Sequence, residues 1–146
     1  MDRFKTFTLL IAKIYRNVRR IKTQAMSEHQ LKSPHVSCLY YLYKNKSLTM
    51  RQLCEVCNED KSGISRSVEH LEKEGLVIRQ GADGMVYKTQ LTLTEKGAVV
   101  GGDICEKIDF VLSETSKNVS DEEREIFYKC LKEISDNLDR IVISKQ

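Results

Sequence analysis

The chain has 146 residues, 40% of them apolar, and a net charge of +3 with a sequence pI of about 8.6. This length and composition predict one domain, or one compact unit with extensions, that buries a hydrophobic core. The weak positive balance permits nucleic acid without demanding it. No apolar run approaches the ~20 residues of a membrane span, and lysines and arginines interrupt the first apolar stretch, which excludes a signal peptide. We therefore expect a soluble, cytoplasmic protein.

Five cysteines without an export signal predict reduced thiols rather than a disulfide framework. Cys54 and Cys57 form a CxxC pair, but a structural zinc site needs four ligands at readable spacing, and the sequence offers no second pair. The sequence predicts neither a metal site nor a cofactor.

The first predicted helix runs from Arg3 to Met26, because apolar residues recur there at spacings of three and four. Such a seam is typical of a helix that packs against a long partner. It consists of Phe4, Phe7, Ile11, Ile14, Val18 and Ile21. The rest of the second half carries Lys13, Arg16, Arg19, Arg20 and Lys22. These cations indicate either a solvated face or long-range attraction to phosphates.

A second helix is predicted to begin with Ser33 as N-cap and Pro34 at the first helical position, and to end near Lys46. Its apolar residues are Val36, Leu39, Tyr40, Leu42 and Tyr43. Cys38 lies among three tyrosines, namely Tyr40, Tyr41 and Tyr43. The cluster indicates core or interface packing, the lining of a ligand pocket, or a thiol sensor.

A helix-turn-helix pattern comes next. Thr49 caps a short third helix from Met50 to Cys57, and Asn58 suits the left-handed conformation of the turn. Asp60 then caps a fourth helix of about fourteen residues, which Gly75 ends. The order of helix, short turn and helix is the helix-turn-helix motif.

The fourth helix has two different faces. Ile64, Val68 and Leu71 share one side and predict a buried face. The opposite side, near the N-terminus, carries serines and cations without a carboxylate, which suits a DNA major groove because arginine can fork onto guanine. We expect Arg66 to read a base. The candidate DNA-contacting residues are Lys61, Ser62, Ser65, Arg66, Ser67, Arg79 and Lys88.

After the fourth helix the hydrophobic period changes from helical to alternating. Residues 76–80 and 85–93 are predicted as two strands around a hairpin loop at residues 81–84. This hairpin forms a wing. Arg79 and Lys88 place cations on it, within reach of a DNA backbone or minor groove.

Two long helices close the chain. Thr94 caps a fifth helix that runs to about Lys117, and a capping box of Ser120 and Glu123 opens the sixth. The stripe of the fifth is Val99, Val100, Ile104, Ile108, Val111 and Leu112, and that of the sixth is Phe127, Leu131, Ile134, Leu138 and Ile141. Burying apolar surface is worth about 25 cal/mol per Å², so the seams at both chain ends predict homodimerisation.

Three signatures resemble those of the multiple-antibiotic-resistance regulator (MarR) family of bacterial winged helix-turn-helix repressors. They are Asp60-Lys61-Ser62 at the start of the fourth helix, residues 71–77 at its exit, and Leu91-Thr92-Leu93-Thr94-Glu95-Lys96-Gly97 after the wing. Three features depart from the family pattern. Asp83-Gly84-Met85 keeps the acid of the wing but lacks its arginine, and His35 stands where the family often has glutamine. Cys54 and Cys57 occupy positions where the family has alanine and leucine facing the core, so the resemblance implies that the pair is buried and inert.

The resemblance implies a mainly α fold with a small β-hairpin wing. Residues 33–97 would form the winged helix-turn-helix, and residues 1–32 and 98–146 the dimerisation helices of a single MarR-like unit. It further implies an obligate homodimer with the recognition helix and wing on DNA. Effector sites would lie between the dimerisation helices and the DNA-reading head.

The function expected from the sequence is a dimeric, sequence-specific transcriptional regulator. It would bind a pseudopalindromic operator on double-stranded DNA as a repressor, be released by a small-molecule effector, and have no enzymatic activity. One alternative is a thiol-based redox sensor that uses Cys38 or Cys105. Another is a winged helix for protein contacts without DNA, because Glu69, Glu72 and Glu74 make the end of the recognition helix acidic. The effector or redox candidates are Cys38, Tyr41 and Cys105.

Overall fold

The computed structural model describes residues 2–81 and 89–143. It contains the predicted order of helices and strands together with one additional strand and a short 3-10 helix, Ser27–His29. The helices are α1 (Arg3–Ala25), α2 (Ser33–Asn45), α3 (Met50–Cys57), α4 (Lys61–Lys73), α5 (Glu95–Thr115) and α6 (Asp121–Ile143). The strands are β1 (Ser47–Thr49), β2 (Val77–Gln80) and β3 (Gln90–Leu93). The chain forms two compact units, Met1–Lys107 and Ile108–Gln146, and α5 begins in the first and ends in the second.

Most helix starts follow the capping chemistry expected from the sequence. The Thr49 hydroxyl accepts from the backbone amide of Gln52 at 3.2 Å, and the Ser120 hydroxyl accepts from that of Glu123 at 3.2 Å. The predicted N-cap of α2 is wrong by one residue. Lys32 is the N-cap, because its backbone amide donates to Nδ1 of His35 at 3.2 Å and the chain turns helical at the next residue.

The three strands form one antiparallel sheet in the order β1-β3-β2, which we call the wing sheet. Strand β1, residues 47–49, was not predicted. Three residues are too few for a hydrophobic period, and the strand exists because it pairs with β3, Ser47 opposite Thr92. Residues 82–88, which include most of the predicted hairpin loop and the site candidate Lys88, lie outside the described residues.

The first unit has its hydrophobic core where α2, α3 and α4 meet the wing sheet. The predicted inward faces of α2 and α4 are confirmed, since their central side chains are 0–1% exposed. The fully buried residues include Leu39, Leu42, Leu53, Ile64, Val68, Leu71, Val77 and Leu91. Gly97 at the start of α5 has a steric role, because a Cβ there would lie 1.9 Å from the carbonyl oxygen of Leu76. Helix α5 can pack this closely on the end of α4 only with glycine.

The long helices at the chain ends leave much of their apolar surface exposed. Helix α1 exposes Phe7, Leu10, Ile11, Ile14 and Val18, and α6 exposes Phe127, Leu131, Ile134, Leu138 and Ile141. The predicted stripe of α5 is partly wrong, because Val99 is 75% exposed while Val100 and Ile104 are buried. Within the described residues, no helix is long and apolar enough to cross a membrane.

Candidate nucleic-acid interface

The N-terminal half of α4 presents a polar face without carboxylates. Lys61, Ser62 and Arg66 are exposed, and Ser65 is half-buried. Asp60 caps the helix, its Oδ1 accepting from the amide of Gly63 at 2.6 Å. The other free amides of the first turn keep the partial positive charge of a helix N-terminus, which favours anions. An exposed cationic face at such a terminus is suited to phosphate and base contacts.

Arg66 has an ordered position on this face. Its Nη1 donates to the Ser62 hydroxyl at 2.7 Å, one helical turn earlier. The contact holds the long side chain along the helix towards its N-terminus, and the remaining guanidinium donors can still form a fork. Because less rotamer freedom is lost on binding, an arginine held in this way is a better base-reading group than a free one.

Ser67 lies on the other side of the helix from these residues. It is 4% exposed, and its hydroxyl donates to the carbonyl of Gly63 at 3.0 Å. The sequence-based inclusion of Ser67 among the DNA-contacting candidates therefore disagrees with its position. The spacing of one residue after Arg66 rotates the side chain by about 100°, which carries it into the core.

Arg79, the first predicted wing cation, faces α4. Its Nε donates to Oε1 of Glu72 at 2.8 Å, and its Nη2 donates to Oε2 at 3.1 Å. The hydrogen bond from Arg79 to Glu72 also raises the pKa of the guanidinium above its ordinary value. From sequence, Arg79 was predicted to contact DNA and Glu72 to belong to an acidic helix end, and their ion pair was not predicted. The available signal was a pair of opposite charges on either side of the Gly75 turn.

The C-terminal half of α4 is held against α2 by stacked histidines. The His35 and His70 rings lie 4.2 Å apart at an interplanar angle of 15°. Burial lowers the pKa of His35 to about 4, with further lowering from His70 and Lys32. His35 is therefore neutral at pH 7 and packs as a flat ring. The sequence does not predict the His35–His70 stack, because the two residues belong to separate helices.

The three effector or redox candidates are not exposed groups. Cys38 and Cys105 are buried, at 0% and 4% exposure, and Tyr41 is half-buried. The Cys38 thiol donates to the sulfur of Cys57, which raises the pKa of Cys38 and lowers that of Cys57, and burial raises the pKa of Cys38 further. Cys54 and Cys57 are half-buried rather than fully buried as predicted. Among these thiols, the one with a lowered pKa belongs to the CxxC pair that the sequence analysis treated as inert.

One group of described residues has the donor atoms and spacing of a metal site, namely Glu28, His29 and Asp103. Lys107 already lies between the two carboxylates, with Nζ 2.6 Å from Glu28 and 2.9 Å from Asp103. His29 Nε2 is 3.7 Å from Asp103. An ammonium in this position supplies the positive charge that a cation would bring. We interpret the group as an ion-pair cluster that joins the 3-10 helix Ser27–His29 to α5.

Comparison with known proteins finds a family match over the helix-turn-helix segment and more distant similarity over most of the chain. A family model described as the MarR family matches residues 29–84. An uncharacterized HTH-type transcriptional regulator of Bacillus anthracis is 24% identical over 129 residues, which cover 87% of this chain and 85% of the relative. The matched segment of the family model contains α2, α3, α4 and β2, so it covers the helix-turn-helix described above.

Solved structures extend the similarity over the long helices. A MarR family regulator from Neisseria meningitidis is similar with a TM-score of 0.85 and 17% identity over 100% of both chains. MepR of Staphylococcus aureus, in a complex with DNA, gives a TM-score of 0.80 and 18% identity over 91% of this chain and 98% of that chain. MarR of Staphylococcus aureus, in a complex with salicylate and kanamycin, gives a TM-score of 0.77 and 16% identity over 93% of this chain and 92% of that chain. The family model and the solved structures agree: residues 29–84 match the MarR family, and the whole chain has the fold of MarR family regulators.

Proposed function

We propose that the protein is a homodimeric regulator that binds a pseudopalindromic operator in double-stranded DNA. The observation that carries the proposal is the exposed Lys61, Ser62 and Arg66 face, with Arg66 held by Ser62 at 2.7 Å beside a helix N-terminus. Arg66 would fork onto a guanine, and Ser62 and Ser65 would contact bases or phosphates. Lys61 would neutralise a phosphate. The complex of the structurally similar MepR with DNA supports this assignment.

Dimerisation is the second part of the proposal, with a second copy of the chain covering the exposed faces of α1 and α6. Both faces repeat apolar residues at spacings of three and four, which suits helix-on-helix packing. In the dimer, residues 33–97 would serve as the DNA-reading head, and residues 1–32 and 98–146 would hold two heads together. Recognition helices ~34 to 36 Å apart would then enter successive major grooves.

Selection from a random pool of duplex DNA tests both parts at once. We expect enrichment of a palindromic motif whose half-sites are centred about 10 base pairs apart. Binding to the enriched duplex should weaken steeply with added salt, because phosphate contacts release counterions. Enrichment of no sequence would contradict DNA recognition and favour the alternative of a protein-interaction module. A single half-site, or a protein that sediments as one subunit at micromolar concentration, would contradict the dimer.

Repression and its release are the third part of the proposal. A dimer bound within a promoter would occlude it, and an effector would favour a dimer whose heads are wrongly spaced. The structure of Staphylococcus aureus MarR with salicylate supports a test with that compound. We expect millimolar salicylate to weaken binding to the enriched duplex without dissociating the dimer. Unchanged affinity would remove salicylate-like acids from the proposal, and activation of a reporter promoter by the protein would contradict repression.

A further inference from the structure

The Arg79–Glu72 ion pair joins the wing sheet directly to the recognition helix. The two residues are seven positions apart, on either side of the turn that ends α4. Two parallel hydrogen bonds, of 2.8 Å and 3.1 Å, fix the orientation of the guanidinium as well as its distance. The Glu72 side chain is only 29% exposed and that of Arg79 is 42% exposed, so water screens the pair less than a fully exposed one.

Other contacts fix the turn and the first residue of β2, because Val77 is 1% exposed in the core, whereas this pair acts two residues further along the strand. The Thr94 hydroxyl donates to the carbonyl of Gly75 at 2.7 Å, and Lys96 Nζ donates to that of Glu74 at 2.8 Å. Both fix the end of α4 against the start of α5. Arg79 lies on β2, opposite Leu91 of β3, so its contact acts on the sheet. It is placed to determine how the wing sheet is oriented relative to the recognition helix.

The pair also explains an acidic residue on a helix proposed to approach DNA. An unpaired Glu72 would repel phosphates, whereas a Glu72 that accepts two hydrogen bonds from arginine has its charge compensated locally. The same bonds use two of the five N–H donors of Arg79, on Nε and Nη2. Because Glu72 already compensates the charge of Arg79, a phosphate contact through the remaining donors would gain less than one from an unpaired arginine.

We propose that Arg79 and Glu72 form a clamp that sets the position of the wing sheet relative to α4, and that Arg79 is a positioning residue rather than a phosphate contact. The inference rests on the proposed DNA-binding function. It makes a prediction of opposite sign for Glu72. If Arg79 contacts phosphate, removing the Glu72 charge frees the arginine and strengthens binding; if the pair is a clamp, the same change weakens binding.

The experiment begins without DNA, on the full-length dimer. Amide hydrogen exchange over residues 77–80 is compared among the wild type, Arg79→Ala, Glu72→Gln and the double variant. We expect each single variant to raise the exchange rate about three- to tenfold, and the double variant to add no more, because either change removes the whole clamp. Glu74→Gln is the matched control, since it removes the same charge two residues from Glu72 and keeps both the pair and the bond from Lys96 to the carbonyl of residue 74.

The second arm measures affinity for the enriched duplex as a function of salt. We expect Glu72→Gln and Arg79→Ala each to weaken binding about five- to twentyfold, with the wild-type salt slope, and the double variant to bind like either single one. Glu74→Gln should bind as tightly as wild type or more tightly, because it removes a repulsive charge. The exchanged pair, Glu72→Arg with Arg79→Glu, should recover most of the lost affinity because the ion pair forms again in reverse.

The possible outcomes distinguish a failure of the Arg79–Glu72 clamp from a failure of the proposed DNA-binding function. Unchanged exchange in both single variants overturns the clamp, whatever the affinities are. An Arg79→Ala variant with a salt slope smaller by about one, together with tighter binding by Glu72→Gln, makes Arg79 a phosphate contact and overturns its positioning role. A wild type that enriches no DNA sequence overturns the proposed function and the clamp's part in it. In that case hydrogen exchange still decides whether the pair holds the strand.

Discussion

The two halves of α4 are built for different tasks, although they belong to one helix of 13 residues. The first half exposes Lys61, Ser62 and Arg66 without a carboxylate. In the second half, His70 stacks on His35 and Glu72 pairs with Arg79. The three exposed side chains of the first half can contact a partner, whereas His70 and Glu72 of the second half attach the helix to α2 and to the wing sheet. A recognition helix needs both, since a contact surface is specific only if its support is rigid.

The largest expected effect comes from a substitution that weakens the packing of α4 against the core. Leu71→Ala deletes a side chain that is 0% exposed at the junction of α4 with the core, and should lower the free energy of unfolding by ~2 to 5 kcal/mol. Urea denaturation followed by circular dichroism measures the change. Lys61→Ala, in the exposed half, is the control and should stay within about 0.5 kcal/mol of wild type. Equal losses in the two variants would contradict the division of the helix into two halves.

The next effect acts on the contact surface alone. Arg66→Ala should weaken binding to the enriched duplex by ~1 to 3 kcal/mol and relax selection at one base position, with unfolding unchanged. Lys73→Ala removes the same charge from the second half, where we expect a smaller loss spread over all sequences. Binding curves on the enriched duplex and on a scrambled duplex supply both numbers. If Arg66→Ala kept the wild-type preference between the two duplexes, the assignment of base readout would be wrong.

The cap of the first half can be tested separately. Asp60→Ala removes the acceptor of the 2.6 Å bond from the Gly63 amide and should destabilise the protein by ~0.5 to 2 kcal/mol. Asp60→Asn keeps an acceptor at the same place and should recover most of the stability. Thermal unfolding of the three proteins gives the comparison. An asparagine variant as unstable as the alanine variant would show that the charge, rather than the hydrogen bond, matters at this terminus.

The smallest effect depends on pH and concerns the histidine stack. The folded protein lowers the pKa of His35 from 6.5 to about 4, so between these values the unfolded chain binds more protons than the folded one. The contribution of neutral His35 to the free energy of unfolding is therefore fully present above pH 6.5 and is lost as the pH drops towards 4. Because the imidazole is partly exposed, we expect the loss to be only about 1 kcal/mol. Denaturation at pH 7 and pH 4.5 measures it, and His35→Gln should reduce the difference; an unchanged difference would assign it to other groups.

The local structure of this chain was predictable because its signals lie within a few residues of one another. Asp60 and Gly75 mark the ends of α4, Thr49 and Asn58 mark those of α3, and each cap acts on amides or carbonyls one turn away. Hydrophobic periodicity likewise identified the inward faces of α2 and α4. The exposed position of Arg66 followed from the same periodicity.

Contacts between distant residues were decided by the tertiary structure alone. Strand β1 has too few residues for a pattern of its own and depends on β3 for its hydrogen bonds. The His35–His70 stack joins two helices, and the direction in which Arg79 points depends on the turn that brings β2 back beside α4. The amino-acid sequence determines which charged and aromatic side chains are present. Only packing determines which of them meet, because each partner is selected by geometry that several elements set together.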